Sequence, residues 1–110
     1  MANTPKRLYT GQPGTTIGTL YTVPASTKTI VKNIVLANTT ATDATIDIHL
    51  VPNGGTAGAT NKIVPTYTVT AKNTVVIDFS AVLDTAGDTI QALQGTSGAI
   101  TVYISGIEVV

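Results

Sequence analysis

The chain has no cysteine and no tryptophan, a single histidine, and charge on only 11% of its 110 residues. Without cysteine there are no disulfides, no thiolate zinc site and no thiol nucleophile, and the redox compartment stays open. The charged share is less than half the usual value of roughly 25%. Six Lys and Arg balance six Asp and Glu, so the formal net charge is zero and the pI is near 6.5. The basic residues are scattered and form no stripe, which excludes binding to nucleic acid through its phosphates. No apolar run reaches the eighteen or so residues of a membrane-spanning helix. Met1 to Thr10 is polar and lacks the apolar stretch of a signal peptide, so synthesis in a cytoplasm without directed export is expected. Sustained apolar spacing of helical period is also missing, so no helix longer than about two turns is expected.

What the chain has is threonine, one residue in five. Threonines alternate with Ile, Val, Leu and Tyr in runs such as Thr45–Leu50, Thr66–Thr70 and Ile100–Ser105. A β-branched polar residue suits the wet face of a strand and a β-branched apolar one the dry face. Period-two alternation therefore predicts antiparallel strands with one solvated face. Strands are expected at Thr16–Val23, Lys28–Asn38, Ala44–Val51, Lys62–Thr70, Thr74–Phe79, Asp88–Gln94 and Ala99–Val110, with a short one at Lys6–Tyr9. About eight strands at this spacing, over 43% hydrophobic residues, predict an all-β antiparallel sandwich, jelly-roll-like, needing no disulfide or metal. The expected inward set is Ile34, Leu36, Ile46, Ile48, Leu50, Val75, Ile77, Phe79, Ile90, Val102 and Ile104.

Some segments call for their own reading. Residues 1–16, with Asn3, Pro5, Gly11, Pro13 and Gly14, read as an extended N-terminal arm ahead of a sandwich domain at 17–110. Having few apolar residues, the arm is expected to gain its order from contact with another subunit or surface. Lys28–Asn38 is apolar on both faces, as in a central strand or one that meets a partner. Ser80–Gly87 reads as a connection whose Val82 and Leu83 plug one end of the core. In the last strand Ile100, Val102 and Ile104 share one parity and Ile107 and Val109 the other, which predicts a bulge near Gly106.

Chemistry-bearing residues are few. His49 falls on the polar face of its strand beside Asp47, and neither a zinc set nor a nucleophile–base pair accompanies it. Asp84 and Asp88 bracket a short acidic loop that reads as a turn bonded to its own backbone, with Ca²⁺ ligation as the alternative. Lys32 sits mid-strand and Glu108 in the last strand. An isopeptide bond would need an asparagine that the last strand lacks. Asn38-Thr39-Thr40 matches a glycosylation sequon and also a turn. Tyr9, Tyr21, Tyr67 and Tyr103 suit packing or an interface, or alternatively a sugar-binding face. No catalytic, cofactor-binding or metal-ligating residue is assigned, no cofactor is expected, and the chain is not expected to be an enzyme.

The run Leu20-Tyr21-Thr22-Val23-Pro24-Ala25-Ser26-Thr27-Lys28 into Thr29–Thr39, with Gly87–Ala92 and Thr101–Glu108, resembles small structural proteins of tailed-bacteriophage virions. Ser26 stands where Gly is common in that pattern. The resemblance spans about residues 17 to 110. It implies a β-sandwich on the phage particle, as a capsid decoration or cement protein, or as a tail or fibre component such as an adaptor for a receptor-binding protein. The implied partners are the major capsid protein or other virion proteins, with self-association as a trimer, and no nucleic acid or membrane. A carbohydrate-binding module is the reading from another class. Low charge supports the structural class, since a net charge near zero favours association.

Overall fold

Alternation of β-branched residues is realised as eight strands. The computed structural model describes residues 2–110; Met1, the first residue of the expected arm, lies outside the described residues. The strands are β1 (Asn3–Gly11), β2 (Gly18–Thr22), β3 (Lys28–Asn38), β4 (Ala44–Val51), β5 (Lys62–Val69), β6 (Thr74–Leu83), β7 (Thr89–Gln94) and β8 (Ile100–Val109). Sheet I has the order β1-β8-β3-β6 and sheet II the order β2-β7-β4-β5, with every pairing antiparallel. This is an all-β sandwich in jelly-roll order, as the alternation predicts.

The core lies between the sheets. Ile34, Leu36, Ile46, Ile48, Ile90, Val102 and Ile104 are buried there as expected, joined by Val31, Val69 and Ile100. Leu50, Val75, Ile77 and Phe79 also pack against the core but stay half-buried. They lie toward the side where edge strands β5 and β6 close the sandwich, and no further strand covers them. Replacing a fully buried side chain such as Ile48 with Ala removes its contacts and leaves a cavity, at a cost of roughly 2–5 kcal/mol.

Three expectations are corrected. The first is the independence of the N-terminal segment. Asn3–Gly11 is the edge strand of sheet I, paired along β8 of its own chain, with Leu8 in the core. Beyond the strand, fully buried Gln94 anchors Pro13 and Gly14. Its amide nitrogen donates to the Pro13 carbonyl (2.6 Å), and its backbone N–H donates to that of Gly14 (2.9 Å). The second is the break in the last strand. β8 keeps one parity throughout: Ile100, Val102, Ile104, Gly106 and Glu108 point inward, and Ile107 and Val109 belong to the outer face. The irregularities sit in its neighbours, where Leu8 is the extra residue of β1 and Lys32 that of β3. The third is Ser80–Leu83, which extends β6 beyond a register shift opposite Lys32. Leu83 is buried, but Val82 is 61% exposed and plugs nothing.

Gly106 lies between the two bulges. A Cβ there would run into the Ile30 carbonyl and come within 2.8 Å of Leu8 Cδ1. The contact with backbone is the costly one, because a main chain held in a sheet cannot rotate away. Gly106→Ala is therefore expected to cost about 1–3 kcal/mol, the usual range for overpacking, read from chemical denaturation. A variant as stable as wild type would place the bulges elsewhere.

Ser26 has φ of +56°, in the left-handed region. Glycine adopts this conformation without the Cβ clash that serine carries. Ser26→Gly is expected to stabilise by about 0.5–1 kcal/mol, because relief of the left-handed strain outweighs the added unfolded-state freedom. A lower melting temperature would contradict this.

Candidate interaction surface

The ionisable side chains are mostly engaged in holding strands and turns. Asp88 is buried and accepts from the backbone N–H of Asn53 (2.8 Å) and of Thr85 (3.1 Å), one with each oxygen. It is a turn former that also pins the start of the 52–61 loop. Asp43 accepts from Ala71 N–H, and Asp47 from the N–H and hydroxyl of Thr66, whose φ is +44°. Asp84 accepts from the neighbouring Thr85 hydroxyl. Asn38 is buried with both ends of its amide in use, donating to Thr42 and Val69 carbonyls and accepting from Thr40, so the sequon is a turn. Lys32 donates to Ser80 Oγ at 2.8 Å. Among the described residues no three His, Asp or Glu side chains converge to hold a metal ion.

His49 is where strand parity alone misleads. It points to the outer face of sheet II, in register with Gln91, as expected. It is nevertheless only 4% exposed, because the loop 52–61 folds back over it. His49 Nδ1 faces Asn61 Oδ1 (2.8 Å) and the Gly58 carbonyl (3.1 Å). Both are acceptors, so Nδ1 carries the proton. Asn61 in turn accepts from Gly58 N–H and donates to the Thr56 carbonyl. The imidazole thus joins Asp88 and Asn61 in holding the glycine-rich loop against sheet II.

Tyr21 joins the two sheets. From β2 its hydroxyl donates to Glu108 Oε2 on β8 (2.5 Å) and accepts from Thr29 Oγ1 on β3 (2.8 Å). Lys6 on β1 pairs with the same carboxylate at 3.3 Å. Burial, and then the hydrogen bond to the Glu108 carboxylate, push the Tyr21 phenol from 10.0 up to about 12. The folded state therefore holds the phenol proton more tightly than the unfolded chain does. This contribution is complete below pH 10 and is lost as pH rises toward 12. The melting-temperature gap between wild type and Tyr21→Phe should shrink from pH 10 to pH 12. A gap that stays constant would show that the phenol does not titrate in this way.

The four tyrosines do not share a face. Tyr9 and Tyr21 pack against the core, Tyr67 lies on β5, and Tyr103 stands on the outer face of sheet I. A surface depression of about 650 Å³ lies where the Ser26–Lys28 turn, the 84–86 connection and Val109 meet. Its ionisable side chains are Lys28 and Asp84.

The outer face of sheet I is different in kind: among the described residues the hydrogen bonds from loops reach it only at one end, where Gln12 donates to Thr101 Oγ1 and the Gly98 carbonyl, whereas the 52–61 loop is bonded over sheet II at His49. The register places its side chains in transverse rows. Thr10, Tyr103, Val35 and Val76 form one row, and Pro5, Ile107, Ile30 and Val82 another. Between them runs a polar row of Arg7, Ser105, Asn33 and Asp78. Val76 is 54% exposed and Tyr103 42%. Asn33 Oδ1, in the polar row, is buried without a hydrogen-bond partner. The apolar character of Lys28–Asn38 on both faces was the sequence signal for this surface. The contributions of Val76, Val82 and Tyr103 had no such signal, since they depend on which strands flank β3.

No protein-family model and no curated protein matches the chain. Among solved structures it is similar in fold to a protein of Bacillus endospore appendages, described as a family of disulfide-linked pili. The TM-score is 0.57 at 19% identity, over 96% of this chain and 86% of that one. It is also similar to a chain in the structure of the infectious bursal disease virus Gx strain. There the TM-score is 0.52 at 16% identity, over 97% of this chain but 31% of the other. At these identities the likeness is one of fold.

Proposed function

We propose that the protein is a non-enzymatic structural subunit of a tailed-phage particle, bound to the outer capsid as a decoration protein through the outer face of sheet I. The observation that carries this reading is that face: two apolar rows in which Val76, Val82 and Tyr103 are exposed and Val35, Ile30 and Ile107 half-buried, its charges confined to the strip between and beside them that holds Arg7, Lys32 and Asp78. Contiguous exposed apolar rows on a small domain mark an interaction surface. The occupied state of most ionisable groups supports a role without chemistry. The resemblance of the Leu20–Thr39 run supports the phage assignment, and fold neighbours from a pilus and a virus are compatible with it. The pilus neighbour is disulfide-linked, whereas this chain, without cysteine, would have to bind by surface complementarity alone.

The test uses virions of the encoding phage from which this protein is missing. Wild-type protein should bind them, and gold-labelled antibody should mark the heads. Val76→Asp with Tyr103→Asp places two charges on exposed positions. It should keep the melting temperature within a few degrees and lower the affinity at least about tenfold, which is about 1.4 kcal/mol. A double variant that binds like wild type would refute the assigned face. Label on the tail would favour the adaptor role instead.

A further inference from the structure

We propose that the free edge of β6 receives β1 of a second copy of this chain, so that sheet I continues from subunit to subunit. The inference deepens the structural-subunit reading and rests on it. Sheet I has four strands and every neighbour is antiparallel, so β1 and β6, at its two edges, run in opposite directions. A second copy laid alongside in the same orientation therefore brings β1 antiparallel to β6.

Register supplies the complementarity. In the outer polar row, Arg7 stands at one edge and Asp78 at the other. Both are exposed, and neither makes a side-chain hydrogen bond or ion pair among the described residues. Extending the row into the next copy sets Asp78 opposite Arg7. The same register extends the inner row Tyr9, Ile104, Ile34 and Ile77, so that Tyr9 of the arriving copy lies beside Ile77. This is where the sandwich is unfinished: an apolar groove of about 370 Å³ runs between β5 and β6, lined by Ile63, Tyr67, Ile77 and Phe79 among others.

Edge protection is uneven in the way this pairing needs. β6 carries no proline and no lysine, and Asp78 is its sole charge. Sheet II is less suited to continuation, because its edge strand β5 is interrupted by Pro65 and the left-handed Thr66. On β1 the pairing is confined to Arg7–Gly11. Ala2 and Val110 exchange both hydrogen bonds, so positions 2, 4 and 6 turn toward β8, and Pro5 faces the free edge without an N–H. A contact between two different edges is heterologous and either closes as a ring or runs on as a filament.

Sedimentation velocity over a concentration series tests the pairing. Wild type should associate beyond one subunit as concentration rises. Arg7→Asp and Asp78→Arg should each weaken association about tenfold, as like charges meet across the edge. The double variant Arg7→Asp/Asp78→Arg, and an equimolar mixture of the two single variants, should each restore it. Wild type that stays monomeric throughout, single variants that associate like wild type, or a charge swap that does not restore association would each overturn the proposal. The particle-binding assay separates the two readings. If Arg7→Asp and wild type bind particles equally and neither self-associates, this inference fails while the decoration reading stands.

Discussion

Sheet I depends on the close approach of Gly106 to the Ile30 carbonyl. At that point β1 and β3 each carry one extra residue, and β8 runs straight between them with no side chain in the way. Each bulge shifts its strand by one position relative to β8. That shift lets Leu8 and Val31 stay in the core while Arg7 and Asn33 reach the outer face. A Cβ at position 106 would push the strands apart and disturb the rows on both faces at once. The Glu108–Tyr21–Thr29 linkage between the sheets lies one inward position further along β8 and relies on the same register.

Most of the fold is legible in the sequence because period-two alternation of Thr with Ile and Val is an intrinsic strand signal. Strand β4 shows this most cleanly, with Ile46 and Ile48 inward and Thr45 and Asp47 outward. The misreadings share a physical cause: each concerns what a neighbouring segment does. Ile107 and Val109 look like a change of parity until the outer face is seen to hold an apolar row of its own. His49 has the right direction and the wrong exposure, because a loop twelve residues on closes over it. Residues 3–11 look too polar to fold, yet an edge strand needs only one good inward anchor, here Leu8, and a partner with free main-chain groups. The Tyr21 linkage was not visible, since Tyr21 and Glu108 are 87 positions apart.

The candidate site was legible only in outline. The absence of a chemical motif pointed toward surface shape, and Lys28–Asn38 pointed to a strand with two apolar faces. Which face is open was not readable, because the covering of sheet II depends on His49, Asn61 and Asp88 acting together across three segments. That covering makes the two sides of the sandwich unequal. Sheet II presents polar side chains beneath a pinned loop, and sheet I presents apolar rows of Val, Ile and Tyr flanking a polar one, between the two edge strands β1 and β6.

On the proposed function sheet I, and not the loops, is the working part of the molecule. Hydrogen–deuterium exchange of the free protein against the particle-bound protein tests this most directly. Added protection is expected along Asn3–Gly11 and Thr74–Leu83, with little change in residues 52–61 and 84–88. Protection confined to those loops, with the sheet I strands unchanged, would contradict it.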